Sequence, residues 1–357
     1  MDVDDFDFEL PPDLIAQEPA PVRTAARLLL LRRETGEIAH EQVAALPELL
    51  APGDLLVVND TRVFPARLLG HRVPSGGSVE CLLIARVREV DSSSMSPRVQ
   101  LWEALMHPGQ KLSPGSQVVF EGPASLHAEV LERKFYGRRL IRLWTDDAPS
   151  VDDAIDVIGH VPLPPYIKRH DEPEDRDRYQ TVFAERRGSV AAPTAGLHFT
   201  EALLSELDAR GVLRARITLH VGYGTFQPVR VDRVEEHQLE PESYEIGEAS
   251  ASAINQAIDE SRRIIAVGTT TTRALEAVAS AHGGRIAAGR GSTDLFIFPG
   301  FRFQVIRGLM TNFHLPRSSL LMLVSAFAGR PVILAAYHEA IQHKYRFYSY
   351  GDAMLIL

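Results

Sequence analysis

Residues 191–226, AAPTAGLHFTEALLSELDARGVLRARITLHVGYGTF, form the helix–strand unit from which the rest of the chain is best understood. A polar, glycine-containing turn leads to His198, and Thr200 can cap a helix whose leucines share one face until Gly211 ends it. A strand with alternating hydrophobicity then carries His220 to a second glycine turn. The unit therefore places two histidines and several hydroxyls at loop ends, where functional sites are commonly built.

The sequence pattern before this unit is typical of β-strands. Six short runs rich in Val, Leu and Ile are separated by clusters of Pro, Gly and Ser, which predicts a small all-β barrel or sandwich. The six predicted strands are 66–73, 78–88, 98–106, 116–120, 126–133 and 138–144.

After residue 149 helical patterns alternate with strands, which is the signature of an α/β domain. The predicted helices are 151–158, 199–210, 248–261, 270–281, 318–328 and 331–343, and the predicted strands are 214–220, 263–267 and 293–298. Two further strands, 28–32 and 55–58, precede the β segment. Segment 168–178 is highly charged and has no core-forming residues, so we expect a mobile surface loop there.

Composition excludes several classes of site. The 357 residues carry a net charge of −9 and contain one cysteine, Cys81, so neither an intrachain disulfide nor a multi-cysteine zinc site can form. There is no HExxH spacing, and we expect no catalytic metal. The N-terminus is acidic and no apolar run reaches the roughly 18–20 residues that span a bilayer. We therefore expect a cytoplasmic protein that makes no use of a membrane.

The strongest candidate for an anion site begins at Gly268. A strand runs into this glycine, and a helix starting with Thr269 and Thr270 follows. The first turn of a helix offers free N–H groups and the positive end of a dipole, which suit a carboxylate or phosphate, and Arg273 can clamp a carboxylate. Threonines that cap an ordinary helix are the alternative interpretation.

Two other stretches carry polar side chains in suggestive positions. Asn312 and His314 lie two residues apart, so in an extended segment they face the same side. Segment 344–350 interleaves cations with aromatics and can stack bases and hold phosphates; a final strand with one aromatic face packed inside explains it equally well. The turn at Gly222 lacks the following helix that a dinucleotide-type glycine loop needs, so no such cofactor site is expected there.

The chain resembles a known family over nearly its whole length. Eight stretches in order carry the resemblance to the S-adenosylmethionine:tRNA ribosyltransferase-isomerases, which make epoxyqueuosine in tRNA. They are DFDFELPPDLIAQEPA from Asp5, LLVVNDTRVFPARL from Leu55, GHVPLPPYIKR from Gly159, YQTVFAE from Tyr179, AVGTTTTRALE from Ala266, TDLFIFPGF from Thr293, TNFHLPRSSLLMLVSAFAG from Thr311 and KYRFYSYGDAM from Lys344. The family commonly has Gly-Ala-Gly where this chain has Tyr223, and a second histidine after His237 that is absent here.

The resemblance implies a fold and an activity. The fold is a mixed-sheet α/β catalytic domain, 1–65 and 150–357, with an inserted β-barrel domain, 66–149. The enzyme transfers and isomerises the ribosyl part of S-adenosylmethionine (AdoMet) onto 7-aminomethyl-7-deazaguanine at the tRNA wobble position, and releases adenine and methionine without a metal. AdoMet is then a co-substrate and no cofactor is permanently bound. Modified tRNA is the partner, and we expect a monomer.

The chemistry implied by the family assigns candidate roles. A base must remove a C5′ proton that the sulfonium acidifies, and adenine must leave with proton donation, tasks that suit histidine. The catalytic candidates inside matched stretches are His198, His220 and His314. The candidates for binding AdoMet are Thr194, Gly196, Gly222, Thr225, Thr269, Thr270, Arg273 and Asn312. The candidates for substrate or tRNA contact are Asn59, Thr61, Arg62, Lys344, Tyr345 and Arg346.

Two other functions remain open from the sequence. An AdoMet-dependent RNA methyltransferase would use the same donor but is opposed by the missing glycine-loop context. A non-catalytic RNA-binding module would use the β insert as its surface, and is opposed by the concentration of polar stretches in the α/β part.

Overall fold

The computed structural model describes residues 1–87, 96–226 and 229–357, with the side chains of Tyr136, Thr225 and Phe226 outside the described part. The chain divides into two compact units. The first, the α/β unit, comprises 1–62, 164–169 and 177–357, and the second, the barrel unit, comprises 63–163 and 170–176. The predicted insert, 66–149, stopped before the helix Val151–Ile158, which the structure assigns to the barrel unit, where Gln100 Nε2 donates to Asp152 Oδ2 at 2.9 Å.

The α/β unit is built on a nine-stranded mixed sheet. Its strands are β1 (Arg27–Arg32), β2 (Glu37–Gln42), β3 (Leu55–Asn59), β12 (Leu213–Leu219), β13 (Glu242–Ile246), β14 (Ile264–Val267), β15 (Gly289–Thr293), β16 (Gly308–Asn312) and β17 (Ala353–Ile356). Their spatial order is β15-β13-β12-β3-β14-β16-β17-β1-β2. Neighbours β12, β3, β14 and β16 run parallel, whereas β16 and β17 are antiparallel. The predicted mixed-sheet α/β class is therefore confirmed.

The sheet is buried on both faces, which explains its continuous apolar strands. Leu55 and Val57 of β3 point into one core cluster, and Leu56 and Val58 point into the other. Every residue of β3 and of β14 is buried. A strand covered on both sides reads as an unbroken apolar run, and each fully buried aliphatic side chain contributes about 1.5–3 kcal/mol.

The described ranges contain eight α-helices, six of which pack on the two faces of this sheet. The eight are α1 (Leu46–Leu49), α2 (Val151–Ile158), α3 (Asp175–Arg178), α4 (Glu201–Ala209), α5 (Glu248–Asp259), α6 (Thr269–Ala281), α7 (Ser319–Ala328) and α8 (Arg330–Gln342). Helices α1 and α4 contribute to one core cluster and α5 to α8 contribute to the other, whereas α2 lies in the barrel unit. The predicted cap at Thr200 is confirmed, since its side chain accepts from Leu203 N, and the Ser318 side chain caps α7 in the same way by accepting from Leu321 N. Gly211, with φ +82°, follows the end of α4 as predicted.

The barrel unit holds a closed six-stranded antiparallel barrel. Its strands follow the predicted order and limits closely: β5 (Arg67–Val73), β6 (Ser78–Val87), β7 (Val99–His107), β8 (Gln117–Phe120), β9 (Leu126–Arg133) and β10 (Arg138–Trp144). Alternate residues such as Val79, Cys81 and Leu83 of β6 are buried. Barrel closure leaves no exposed edge, and this period-two alternation fills the interior. The barrel alternative of the sequence analysis is confirmed over the sandwich.

One local prediction was wrong and a second was incomplete. Segment 293–298 was predicted as a strand, but β15 ends at Thr293; the Leu295 carbonyl accepts from Arg273 Nε at 2.8 Å, and the aromatics beyond it pack on the core. Segment 168–178 was predicted as a mobile surface loop; most of it is exposed, its mobility stays a prediction, and it contains the short helix α3 (Asp175–Arg178). Asp175 is 2% exposed, and its Oδ2 accepts from Glu172 N at 2.9 Å. Hydrogen bonds between a charged side chain and the nearby backbone therefore hold this segment, which has no apolar residues to pack in the core.

The strands of the large sheet that were missed are β2, β13, β15, β16 and β17, and the small two-stranded sheet of β4 (Thr61–Val63) and β11 (Arg186–Ser189) was missed as well. In the ranges that the structure describes, no single helix is long and apolar enough to cross a membrane. The bent pair α7–α8, with 114° between the helices, passes by length and composition together.

The direction of the strands explains why distant stretches of sequence meet. Because β12, β3, β14 and β16 are parallel neighbours, the residues that follow their carboxyl ends share one edge of the sheet. These residues are Asp60 after β3, His220 after β12, Gly268 after β14 and Phe313 after β16. Open α/β sheets bind ligands at this edge.

Candidate active site

A pocket lies at the carboxyl edge of β14 and β16, within the α/β unit. We call it the central pocket. It is lined by Tyr166, Ala191, Ala192, Pro193, Thr194, Ala195, Val221, Gly268, Thr269, Thr270, Thr311, Asn312, Phe313, His314, Leu315, Ser318, Leu320, Tyr348 and Ser349. Five predicted site residues are therefore brought together here: Thr194, Thr269, Thr270, Asn312 and His314.

The start of α6 forms one wall of the central pocket. Gly268 has φ +92°, a conformation that other residues adopt only with strain, and its N–H donates to Met310 O of β16 at 2.8 Å. The first hydrogen bond within the helix runs from Thr272 N to Gly268 O at 3.2 Å. The helix itself therefore does not use the N–H groups of the three preceding threonines, Thr269 to Thr271, and the positive end of its dipole faces the pocket wall.

Asn312 ends β16 and is held by its amide nitrogen. Its Nδ2 lies 3.2 Å from His198 Nε2 and donates to Tyr348 O at 3.1 Å, while Asn312 is only 2% exposed. Its Oδ1 has no hydrogen-bond partner among the described residues. A buried acceptor without a partner costs about 1–3 kcal/mol, so this oxygen is a natural place for a ligand donor.

His198 supports Asn312 and does not line the central pocket. It closes a smaller cavity beside Arg23 and Tyr350. Burial lowers the pKa of His198 to about 4, an effect that the nearby Asp352 carboxylate opposes. The imidazole is therefore neutral at pH 7, and its Nε2 accepts from the Asn312 amide.

His314 is the one catalytic candidate that lines the central pocket. Its ring atom Nε2 lies 2.8 Å from Thr311 Oγ1, and its backbone N–H donates to Tyr337 OH at 3.0 Å. Burial lowers the pKa of His314 to about 3. A neutral imidazole in an enclosed site can accept a proton from a bound substrate or hydrogen-bond to it.

His220 belongs to a separate polar cluster at the ends of β3 and β12. Its Nδ1 lies 2.8 Å from Thr61 Oγ1, and burial lowers its pKa, opposed by Glu245. Asn59, only 1% exposed, donates to Leu219 O at 2.9 Å and accepts from Thr61 N at 3.1 Å. These contacts fix the two strand ends to each other, and none of the three predicted residues lines the central pocket.

Arg273 and Gly222 meet on the same carboxylate. Arg273 Nη1 donates to Glu242 Oε2 at 2.5 Å, and Gly222 N donates to Glu242 Oε1 at 2.9 Å. The Arg273 and Glu242 side chains are 4% and 7% exposed, so the ion pair is buried and removal of either partner would leave an uncompensated charge. This pair lies outside the lining of the central pocket, and AdoMet contact by Arg273 and Gly222 stays a prediction.

Two other predicted AdoMet contacts have different positions. Gly196 lies in a 3₁₀ turn, 194–198, where a Cβ would meet Thr181 and Phe183 at 2.8 and 2.9 Å, so glycine is needed there for packing. Thr225 lies in a second 3₁₀ turn, Tyr223–Phe226, and its side chain is outside the described part of the chain.

The predicted tRNA contacts divide between surface and interior. Arg62 and Lys344 are exposed. Tyr345 is 1% exposed, with its hydroxyl 2.9 Å from His40 Nδ1 and Arg27 over its ring at 4.1 Å, so in this conformation it cannot stack on a base. Arg346 is half-buried, and its N–H donates to Asp352 Oδ2 at 2.8 Å. The contact with tRNA stays a prediction for the exposed cations.

Sequence reasoning missed two tyrosines and a serine of the central pocket. Tyr166 OH lies 2.5 Å from Ser349 Oγ, and the Tyr166 and Tyr348 rings are 4.5 Å apart. The Tyr348 hydroxyl is buried without a partner in the described structure, and Tyr348 has φ +74°. A strained backbone and an unpaired polar group are both frequent at functional sites. All three residues lie in stretches that carry the family resemblance, so the sequence drew attention to these stretches. It did not show which of their side chains face the pocket.

Comparisons with known proteins agree on one family. The sequence matches the family described as "Queuosine biosynthesis protein" over residues 3–356. It is 50% identical to the S-adenosylmethionine:tRNA ribosyltransferase-isomerase of Heliobacterium modesticaldum and 49% identical to that of Desulfitobacterium hafniense, each over 100% of both chains. It is similar to the crystal structure of S-adenosylmethionine tRNA ribosyltransferase from Thermotoga maritima, with 37% identity, a TM-score of 0.54, and coverage of 99% of this chain and 100% of that chain.

Proposed function

The chain belongs to the queuosine biosynthesis protein family, and we propose that it carries out its S-adenosylmethionine:tRNA ribosyltransferase-isomerase activity in the central pocket. It is a transferase that modifies tRNA with AdoMet as co-substrate. The ribosyl part of AdoMet is transferred to the aminomethyl group of 7-aminomethyl-7-deazaguanine, and adenine and methionine leave. The observation that carries the assignment is a pair of buried, unpartnered polar atoms, Asn312 Oδ1 and Tyr348 OH, on residues that line a pocket beside a helix N-terminus.

We assign the methionyl end of AdoMet to the start of α6. Its carboxylate is negative, and the N–H groups of Thr269 and Thr270 are not used within the helix. An anion at a helix N-terminus gains typically 0.3–1 kcal/mol from the dipole, and more where the site is partly buried. Thr194 faces the same cavity and supplies a hydroxyl.

The nucleoside end then belongs with Asn312 and Tyr348. Both groups need a hydrogen-bond partner, and adenine offers an exocyclic amine as donor and ring nitrogens as acceptors. The amide of Asn312 is fixed by His198 and Tyr348 O, which leaves Oδ1 oriented without cost at the moment of binding. His198 acts in this assignment as a positioning residue.

His314 is the best placed of the three histidines for proton transfer. It lines the central pocket and is uncharged at neutral pH, since burial lowers its pKa to about 3. A neutral imidazole can take the proton that leaves C5′ beside the sulfonium, and the protonated ring can then hydrogen-bond to the departing adenine. Thr311, at 2.8 Å from Nε2, orients the ring for this step.

The test is the release of adenine from AdoMet, followed by chromatography. It compares tRNA bearing 7-aminomethyl-7-deazaguanine, guanine-bearing tRNA and a reaction without RNA. We expect adenine and methionine with the modified tRNA alone. S-adenosylhomocysteine would instead establish a methyltransferase, and tRNA binding without any product would leave an RNA-binding module.

A further inference from the structure

We propose that His40, Glu339 and His343 form a binding site for one divalent transition-metal ion of the zinc class, separate from the central pocket. In the part of the chain that the structure describes, this is the only group of three His, Cys, Asp or Glu residues whose ligand atoms all lie within 4.8 Å of one another. His40 lies on strand β2, at the edge of the large sheet. Glu339 lies in the last turn of α8, and His343 follows directly after the helix.

Two of the three distances between ligand atoms match those of a metal site, and the third, between the two histidines, is within 4.8 Å. The Nε2 atoms of His40 and His343 lie 3.4 and 3.0 Å from the same oxygen, Glu339 Oε1. Ligand atoms around a tetrahedral zinc are about 3.3 Å apart, because each lies about 2.0–2.2 Å from the ion. Two imidazoles and one carboxylate are also the ligand types that zinc accepts, with a water left to complete the shell.

The spacing in sequence supports the same conclusion. Glu339 and His343 are four residues apart, so they lie on one face at the end of α8. His40 reaches them from almost 300 residues earlier, which is why no local spacing in the sequence indicated the cluster.

The outer nitrogen of His40 has the partner that a metal ligand usually has. Tyr345 OH lies 2.9 Å from His40 Nδ1, on the opposite side of the ring from Glu339. Tyr345 is itself fixed, since it is 1% exposed and Arg27 lies over its ring at 4.1 Å. A bond of this kind holds a ligating histidine in one tautomer and orientation.

An ion can reach the three side chains from solvent. They are 36%, 36% and 51% exposed for His40, Glu339 and His343, and an open groove runs past the two histidines. The two rings stack with centroids 4.2 Å apart, so binding requires the His343 ring to turn its Nε2 lone pair toward the ion while Tyr345 keeps the His40 ring in place. His343 is the more exposed of the two, which leaves room for that rotation. Glu41 and Glu48 in the groove wall add negative charge that attracts a cation, and Arg27 of the same wall is paired with Asp352.

The expected role is structural. A metal here ties edge strand β2 to the end of α8 and to the segment that begins at Lys344. Because the ion would bind the folded chain and not the unfolded one, it should raise the unfolding temperature by about 3 °C at a hundredfold excess over its dissociation constant. Adenine release should not depend on it.

The experiment uses untagged, chelator-treated protein titrated with Zn²⁺ by calorimetry, and with Co²⁺ by visible absorption. We expect one Zn²⁺ per chain, a rise in unfolding temperature and the intense bands of tetrahedral cobalt. His343→Gln and Glu339→Gln should abolish all three, and Tyr345→Phe should weaken Zn²⁺ binding about 10-fold or more.

The matched control is His338→Gln. His338 lies on the same helix and is exposed, and its Nδ1 is 2.9 Å from Leu334 O, away from the cluster. It should bind zinc as the unchanged protein does. Absence of stoichiometric binding, or equal binding by the His338, Glu339 and His343 variants, would overturn the proposal, because the 13 histidines of the chain would then provide only scattered surface sites.

Discussion

The barrel unit and the α/β unit differ in how many buried polar side-chain atoms they leave without a hydrogen-bond partner. In the barrel unit Gln100, Arg139 and Thr145 are buried, and each is bonded within the unit: Gln100 to Trp102 Nε1, Arg139 to the Gly109 and Leu112 carbonyls, and Thr145 to Asp147. Among the described residues one such atom, Arg72 Nε, is unpaired in the barrel unit, whereas six are unpaired in the α/β unit. Two of these six, Asn312 Oδ1 and Tyr348 OH, belong to residues that line the central pocket.

Asn312 Oδ1 and Tyr348 OH differ from the other unpaired atoms because they share one pocket, where a ligand can supply the missing partners. Folding alone selects against an unpaired buried polar atom, since each costs about 1–3 kcal/mol. Two such atoms on residues of one pocket indicate that their partners arrive with the substrate. This supports our proposal that the active site lies in the α/β unit, and the following experiments can contradict or refine that proposal.

The largest effect is expected from His314→Ala. The change removes the one candidate histidine that lines the central pocket, and general acid–base catalysis contributes about 10²–10⁴-fold. We expect kcat for adenine release to fall by that factor while the far-UV circular dichroism stays unchanged. The exposed His338→Ala serves as control and should keep full activity. A fully active His314→Ala enzyme would remove the proposed role in proton transfer.

A substitution in the barrel should lower stability and leave AdoMet binding unchanged. Leu83 is fully buried inside the barrel, and Leu83→Ala should lower the free energy of unfolding by about 2–5 kcal/mol through lost burial and the cavity left behind. Leu69→Ala, at a position 41% exposed, is the matched control and should cost far less. Urea unfolding measures both. Neither change should alter the KM for AdoMet, and a raised KM would break the separation between the two units.

The barrel and the α/β unit also differ in how well their strands could be predicted from the sequence. Strands of the barrel were located almost to the residue because alternating burial leaves a period-two pattern, as in Val79, Cys81 and Leu83. Strand β13 (Glu242–Ile246) was missed because two of its five residues, Glu242 and Glu245, are charged. Glu242 is buried only because Arg273 and Gly222 bind it, and such pairing over a long range is not visible in a local pattern.

The candidate site was predicted in part for a similar reason. The resemblance and the donor chemistry found Thr269, Asn312 and His314, which the parallel order of β14 and β16 then brings to one pocket. They did not distinguish Arg273, which the structure pairs with a buried carboxylate. They also passed over Tyr348, because an unpaired hydroxyl is a property of the fold and not of the residue type.

The third prediction concerns pH. Burial lowers the pKa of His198 to about 4 and that of His314 to about 3, whereas the unfolded chain keeps a value near 6.5. Between these values the unfolded chain binds more protons, so stability is fully present above pH 6.5 and is lost as the pH falls toward 4 and then 3. Between pH 7 and pH 4.5 we expect each histidine to account for a loss on the order of 2–3 kcal/mol.

Urea unfolding at pH 7 and pH 4.5 tests this sign. His314→Gln should show a smaller loss of stability between the two pH values than the unchanged protein, because a neutral side chain replaces the titrating one. Equal losses in the His314 variant and in the unchanged protein would mean that the buried histidine does not titrate as its environment requires.

The smallest effect, and the finest test of the comparison, contrasts two buried tyrosines of the α/β unit. The Tyr348 hydroxyl has no partner in the described residues, whereas the Tyr337 hydroxyl accepts from His314 N at 3.0 Å. Tyr348→Phe should therefore leave the free energy of unfolding within about 0.5 kcal/mol and weaken AdoMet binding about 10-fold, since the ligand loses its hydrogen bond. Tyr337→Phe should lower stability by about 1–3 kcal/mol, because it leaves a buried N–H unpaired.

Calorimetric titration with AdoMet and urea unfolding of both variants give the two quantities side by side. A hydroxyl that stabilises the fold should lower the free energy of unfolding when it is removed, in either variant. If Tyr348→Phe were instead as destabilising as Tyr337→Phe, with AdoMet binding unchanged, the Tyr348 hydroxyl would belong to the fold. The unpaired atom would then cease to mark the pocket as the place where AdoMet binds.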